Sequence, residues 1–306
     1  MRAELTISLL AGCLLLASCD RQKKNSSPST PEEMYARVQE LLRPGVEDAE
    51  PRVKEAMLWL RRAGEAGYLQ AQTDLGGIYL EGGRGVEKDE AEAWRWFSRA
   101  AEQGSREAHL YLAEMLLRGG ATPRDEAAAL EHGRKAAEAG LAEGMLMLGL
   151  HLIRTDEGMH EGVEWLRKAA QGKSLRTAGI AARTLGQIYA RGAHGVAVDS
   201  AQSVHWYMQA AQAGDARAQF IAALMLMRGE QTEKDAERGM AYLRMAAGQD
   251  YPRAIALLVN ILRNSGGGEA QEKEAEAWAS RLEGLRRREK NDSSPEAAPV
   301  PAESQE

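Results

Sequence analysis

Between residues 51 and 285 the apolar positions recur every three or four residues, and the same amphipathic stretch keeps returning. Its clearest copy is Ala91-Glu-Ala-Trp-Arg-Trp-Phe-Ser-Arg-Ala-Ala-Glu-Gln-Gly104. This stretch predicts one helix with an anchor at Trp96, a small pair at Ala100 and Ala101, and a glycine stop. The anchor position is filled in turn by Trp59, Trp96, His132, Trp165, Trp206, Tyr242 and Trp278, at spacings of 37, 36, 33, 41, 36 and 36 residues. An Ala-Ala pair follows at 100/101, 136/137, 169/170, 210/211 and 246/247. Five of the six tryptophans share this register, which assigns them to the core. Trp94 has no counterpart in the other copies and is the aromatic left over for binding. A fixed period of this length predicts stacked helix pairs, each covering the apolar face of the one before.

The first helix of each pair carries a small residue, then a large one beside a second small or apolar one, then an aromatic or aliphatic. Examples are Ala71…Leu75-Gly76…Tyr79, Gly144…Leu148-Gly149…Leu152 and Ala181…Leu185-Gly186…Tyr189. A spacing of four keeps these on one face. Glycine inside a helix costs about 1 kcal/mol, so its presence predicts close approach of a neighbouring helix. Between the helices, Gly82-Gly-Arg-Gly-Val-Glu-Lys-Asp89 and Arg191-Gly-Ala-His-Gly-Val-Ala-Val-Asp199 read as loops in which Val86 and Val196 tuck inward and Asp89 and Asp199 cap the next helix. Thr122 is the expected cap of the corresponding helix after Thr122-Pro-Arg-Asp125.

The flanks read differently. Residues 1–19 form a signal, 20–31 a polar Ser/Pro-rich tether, and 32–50 an N-terminal capping helix started by Thr30-Pro31. The repeats fill 51–268, a charged capping helix 269–290, and a disordered Pro/Ala/Ser/Glu-rich tail 291–306.

Composition narrows the function classes. Hydrophobic residues make up 44% of the 306 but aromatics only 5%, so the helices pack through Ala and Leu. A net charge of −6 argues against a general nucleic-acid binder. Both cysteines, Cys13 and Cys19, lie at the very start, which leaves no disulfide framework or cysteine metal site further on. The sequence contains no S-x-x-K, G-x-S-x-G, C-x-x-C or Walker-type loop, and His160-Glu161 lacks the second histidine of a zinc-protease motif. No catalytic residue, metal site or cofactor is expected. His132 reads as a core substitution, and Met145, Met147, Met225 and Met227 as packing with a lesser reading as an adaptable surface.

Two resemblances add to this. The apolar run Leu5 to Leu16 is too short to span a bilayer comfortably, and it ends in Leu16-Ala17-Ser18-Cys19, which resembles a lipobox. The resemblance implies a bacterial lipoprotein, cleaved before a diacylated Cys19, that is anchored to an envelope membrane and faces the periplasm. Which membrane stays open. The pattern A-x-x-x-L-G-x-x-Y, G-x-G-V-x-x-D, W-x-x-x-A-A-x-x-G resembles the Sel1-like repeat, a relative of the tetratricopeptide repeat. Residues 68–104 and 178–214 carry it most fully, whereas 105–140, 141–172 and 215–250 lack the G-x-G-V loop. The resemblance implies an all-α fold, a right-handed α-solenoid of antiparallel helix pairs, used as a scaffold for protein interaction. The expected function is then an envelope adaptor that takes a protein or peptide on a concave face lined mainly by the first helices. Outward candidates there are Gln72, His109, Arg183 and Gln219, with Trp94 beside them. A cell-wall or glycan-metabolism accessory protein or enzyme, or a passive spacer, are the alternatives.

Overall fold

The structure is a computed structural model that describes residues 28–43, 50–83, 85–229, 232–266 and 268–292. Cys19, most of the tether and the tail beyond residue 292 lie outside the described residues. Among the described residues there are fourteen helices and no strand: α1 (Pro31–Leu41), α2 (Glu50–Glu65), α3 (Leu69–Glu81), α4 (Glu90–Glu102), α5 (Arg106–Arg118), α6 (Glu126–Glu138), α7 (Ala142–Leu152), α8 (Met159–Ala170), α9 (Leu175–Arg191), α10 (Ser200–Gln212), α11 (Ala216–Arg228), α12 (Ala236–Gly248), α13 (Pro252–Asn264) and α14 (Gly268–Asp292). The fold is an all-α solenoid in which consecutive helices such as α3 and α4, α9 and α10, and α11 and α12 pack on each other. No described helix is long and apolar enough to cross a membrane.

The described residues divide into two compact units, the first ending at Lys135 and the second beginning at Ala136. The first has a core of Leu60, Leu75, Trp96, Phe97 and Leu112 with the small residues Ala63, Ala71 and Ala100 between them. The second is built the same way from Leu166, Leu185, Tyr207, Leu243, Ile255 and Leu258 around Ala181, Ala210, Ala222 and Ala246. Each fully buried leucine is worth about 1.5–3 kcal/mol relative to exposure. The small residues let the helices approach closely. A Cβ on Gly76 would stand 2.6 Å from the Phe97 ring, and one on Gly186 would stand 3.0 Å from Tyr207.

Local chemistry sets the helix starts. Thr30 and Glu33 form a reciprocal capping box on α1. Asp89, Asp199 and Asp235 cap α4, α10 and α12 through backbone N–H groups. The cap of α6 is Asp125, which accepts from Ala128 N at 3.0 Å, and not Thr122. Asp125 occupies the register of the other aspartate caps, and Pro123 stays outside the helix. In the loops, Gly83 pairs with Val86 and Ala193 with Val196 in small antiparallel bridges, which turn both valines onto the cores. The wide spacing between Trp165 and Trp206 has a simple origin. Helix α9 has 17 residues where its counterpart α3 has 13, an addition of about one turn.

The tryptophan register is partly corrected. Trp96 and Trp206 are buried, as is Tyr242, but Trp59, Trp165 and Trp278 are only half-buried. Trp59 and Trp278 stand on the first and last anchor helices, which have one neighbouring repeat to cover them instead of two. Trp94 is also half-buried, against the core of its unit. Met145, Met225 and Met227 pack onto the core of theirs.

Candidate partner-binding cleft

Each anchor tryptophan sits in a short polar sentence written on its own helix. Four residues before it stands an acceptor: Glu55, Glu92, Glu161, Gln202 and Glu274 precede Trp59, Trp96, Trp165, Trp206 and Trp278. That spacing puts the acceptor over the indole edge. Glu55, Glu161 and Gln202 accept from the indole Nε1 at 3.4, 3.1 and 3.1 Å. Three residues after it often stands a cation. Arg62, Arg99, Lys168 and Arg281 lie over the rings of Trp59, Trp96, Trp165 and Trp278 at 4.9, 5.0, 4.0 and 5.4 Å.

Trp278 and Trp96 depart from this pattern: Glu274 accepts from Arg244 at 3.4 Å, and the acceptor of Trp96 is drawn away as well. Glu92 turns instead to Arg95 at 2.6 Å, and the buried Nε1 of Trp96 is left without a hydrogen-bond partner. This happens in the wall of an open cleft of about 510 Å³ in the first unit, lined by Arg61, Glu65, Tyr79, Asp89, Glu92, Arg95, Trp96 and Arg99. Helices α2 and α4 supply most of it, the tyrosine comes from the end of α3, and Asp89 is the cap of α4. Arg61 donates to the Tyr79 hydroxyl, and Asp89 is engaged by Ala91 N and Glu92 N. Arg99 touches only the Trp96 face, so its guanidinium edge is available. The cleft therefore offers guanidinium donors beside an aromatic wall, with Glu65 as a free carboxylate at its side. Sequence reasoning missed it because Trp96 read as a plain core anchor; the signal was the Arg-x-x-x-Arg pair around that anchor.

The residues expected to face a partner do other work. Gln72 and Gln219 are 4% and 1% exposed, which overturns their outward placement. Gln72 donates to Gly64 O at 3.0 Å and accepts from Gln103 at 2.7 Å. Gln219 donates to Ala211 O at 3.3 Å and accepts from Gln249 at 2.9 Å. The position after the small residue faces the open carbonyls at the end of the preceding anchor helix, and an amide satisfies them. Arg183 makes a largely buried ion pair with Asp215, the cap of α11, at 2.9 Å. These three side chains stitch successive repeats together.

His109, at the Gln72 position of its repeat, is half-buried and meets His132 with their Nδ1 atoms 2.9 Å apart. Burial pushes both imidazoles below the ordinary histidine value, and His132 and then Lys135 add to the effect on His109. Lys135 itself pairs with Glu131 at 2.7 Å. In the second unit a smaller hollow of about 390 Å³ runs past Leu175, Ile180, Ala213 and Ala216, and Leu175 is 67% exposed. Among the described residues no group of three or more His, Cys, Asp or Glu is placed to hold a metal ion.

Paired helices of this length, a glycine or alanine at the crossing and an anchored partner helix define a helical-repeat protein of the solenoid class. The Sel1 repeat model matches residues 48–68, 69–105, 106–141, 142–174, 180–215 and 216–257, and the chain belongs to the Sel1 repeat family. No curated protein matches it. Among solved structures it is similar to a Sel1 repeat protein from Oxalobacter formigenes, at 25% identity over 76% of this chain and 95% of that one, with a TM-score of 0.67. It is also similar to c5321, a protective antigen of uropathogenic Escherichia coli with an SLR fold, at 27% identity and a TM-score of 0.67. That match covers 83% of this chain but about half, 54%, of the antigen.

Proposed function

We propose that this chain is a non-catalytic adaptor, tethered to a bacterial envelope membrane through a lipidated Cys19, that holds a protein or peptide partner on its repeat surface. The lipobox-like Leu16-Ala17-Ser18-Cys19 supports the anchor, and the Sel1 fold, a class generally used for protein interaction, supports the partner. One observation carries the choice of surface. At the Trp96 station the exposed Arg99 and Glu65 are left open around a cleft, whereas the Gln72, Arg183 and Gln219 positions are consumed internally. The binding face on this reading lies between the anchor helices α2 and α4, not on the first helices of the pairs.

Glycan stacking is not favoured. None of the six tryptophans is exposed, and cations cover the faces of four of them.

The test is site-specific photocrosslinking in cells, with the probe at Glu65 in the cleft or at Gln171, its counterpart in the second unit. A discrete adduct from position 65 that is absent from 171 and lost in Arg99→Glu supports the reading. Equal adducts from both, or none from either, sink it. In parallel, Cys19→Ser is expected to move the protein from the membrane to the soluble fraction; unchanged membrane retention would end the lipoprotein claim.

A further inference from the structure

The repeat spanning 106–141 departs from its neighbours at three places at once. Its anchor is His132 where all six others are Trp or Tyr, the residue four before it is Ala128 where every tryptophan anchor has Glu or Gln, and His109 stands where Gln72 and Gln219 stand elsewhere. The outcome is two imidazoles, one from α5 and one from α6, meeting where other repeats place a single indole. Their Nδ1 atoms are 2.9 Å apart and their ring centroids 5.1 Å apart, tilted by 47°. Both rings are half-buried, so water still reaches them.

We infer that His109 and His132 form a two-imidazole chelate for a borderline divalent transition-metal ion, of the Cu2+, Ni2+ or Zn2+ kind. The spacing is what such an ion asks for. With metal–nitrogen bonds of about 2.0–2.1 Å, two nitrogens at a right angle lie about 2.9 Å apart, and in a tetrahedron about 3.4 Å. The present separation therefore fits a square or octahedral edge directly and a tetrahedral one after a small opening. Imidazole suits these ions, and in this series Cu2+ binds most tightly. In the metal-free pair one Nδ1–H donates to the lone pair of the other Nδ1. Binding needs that donor ring to move its proton to Nε2 and both rings to turn by about 45°, so that the Nδ1 lone pairs, now along the line between them, converge on the ion; no net proton is released. The neighbouring Glu131 acts electrostatically on both rings. It now holds Lys135 at 2.7 Å, and a swing away from that lysine would supply an oxygen ligand, with water completing the shell. Glutamine already fills the His109 position in two other repeats, so the fold does not need an imidazole there.

The experiment uses the full chain purified without a histidine tag. It is titrated with Zn2+ by calorimetry and with Cu2+ by electron paramagnetic resonance. One ion per chain is expected, with hyperfine splitting from two equatorial nitrogens for Cu2+. Loss of even an outer partner commonly costs 10–100-fold in metal affinity, so His109→Gln and His132→Gln should each weaken binding by about tenfold or more. His205→Gln, a change at a separate exposed histidine, should leave binding unchanged. His109→Gln keeps the test independent of folding, because it recreates the side chain of the other repeats. A full chain that takes up neither ion, or a His109→Gln chain that binds like the unaltered one, overturns the inference.

Discussion

Trp96 in the first unit and Trp206 in the second occupy the same position of the repeat and are almost equally buried, at 6% and 7% exposure. Their surroundings begin alike. Arg61 reaches the Tyr79 hydroxyl near one, and Arg167 reaches the Tyr189 hydroxyl at 2.5 Å near the other. Then they part. Trp206 Nε1 donates to Gln202, and Gln209, three residues on, donates to Ala170 O at 3.1 Å. At Trp96 the corresponding residues are Glu92 and Arg99; the first is drawn to Arg95 and the second rests on the indole. Neutral amides can satisfy a neighbour within the repeat, and here they close the station. At Trp96 the carboxylate is held by Arg95 instead, although Glu55 and Glu161 show that a carboxylate at this position can also take the indole donor. Repeat scaffolds can thus keep a packing plan constant while a few polar substitutions decide which copy faces outward.

This comparison can be broken or sharpened by substitution. The largest effect is expected from Trp206→Ala, which should cost on the order of 3–5 kcal/mol through loss of a buried indole and the cavity left behind. The half-buried Trp165 should cost clearly less when truncated the same way, and equal losses in urea unfolding would show that burial does not distinguish the anchors. Next come the crossing glycines. Gly76→Ala drives a methyl to 2.6 Å from the Phe97 ring and should cost about 1–3 kcal/mol through overpacking. Gly186→Ala meets Tyr207 at 3.0 Å and should cost less; a reversal of that order would refute the tighter crossing in the first unit.

A finer test removes only the indole donor. Trp206→Phe leaves Gln202 without its partner and should lose about 1 kcal/mol more than Trp96→Phe, which removes a donor that bonds to nothing. Matching losses would mean that Trp96 Nε1 is satisfied in solution. The smallest effect concerns pH. His109 and His132 have folded values below the ordinary 6.5, so the fold favours their neutral forms. Their contribution is fully present above about pH 6.5 and is lost as the pH falls through the folded values, because the unfolded chain then binds more protons. The facing charges are Glu131 and Lys135. The unfolding midpoint should therefore drop on acidification below 6.5, and less so in His109→Gln; identical pH profiles would remove the histidine pair as the cause.

The sequence by itself determined the all-α fold, the repeat register, the close crossings at Gly76 and Gly186, and the aspartate caps at Asp89 and Asp199. These follow from helical periodicity and from backbone groups that any helix end must satisfy, so they are written within a few residues of each other. Tertiary structure decided the rest. It turned Gln72, Arg183 and Gln219 inward to bond the neighbouring repeat, brought His109 onto His132, and left the buried Trp96 Nε1 without a partner. Which way a polar side chain faces depends on the rotation of its helix against the next and on a choice between nearby acceptors. Neither is encoded in the spacing of residues along one helix. At the anchor helix α4, the residues that look most like core hold the polar cleft, and the residues that look most like surface hold the repeats together.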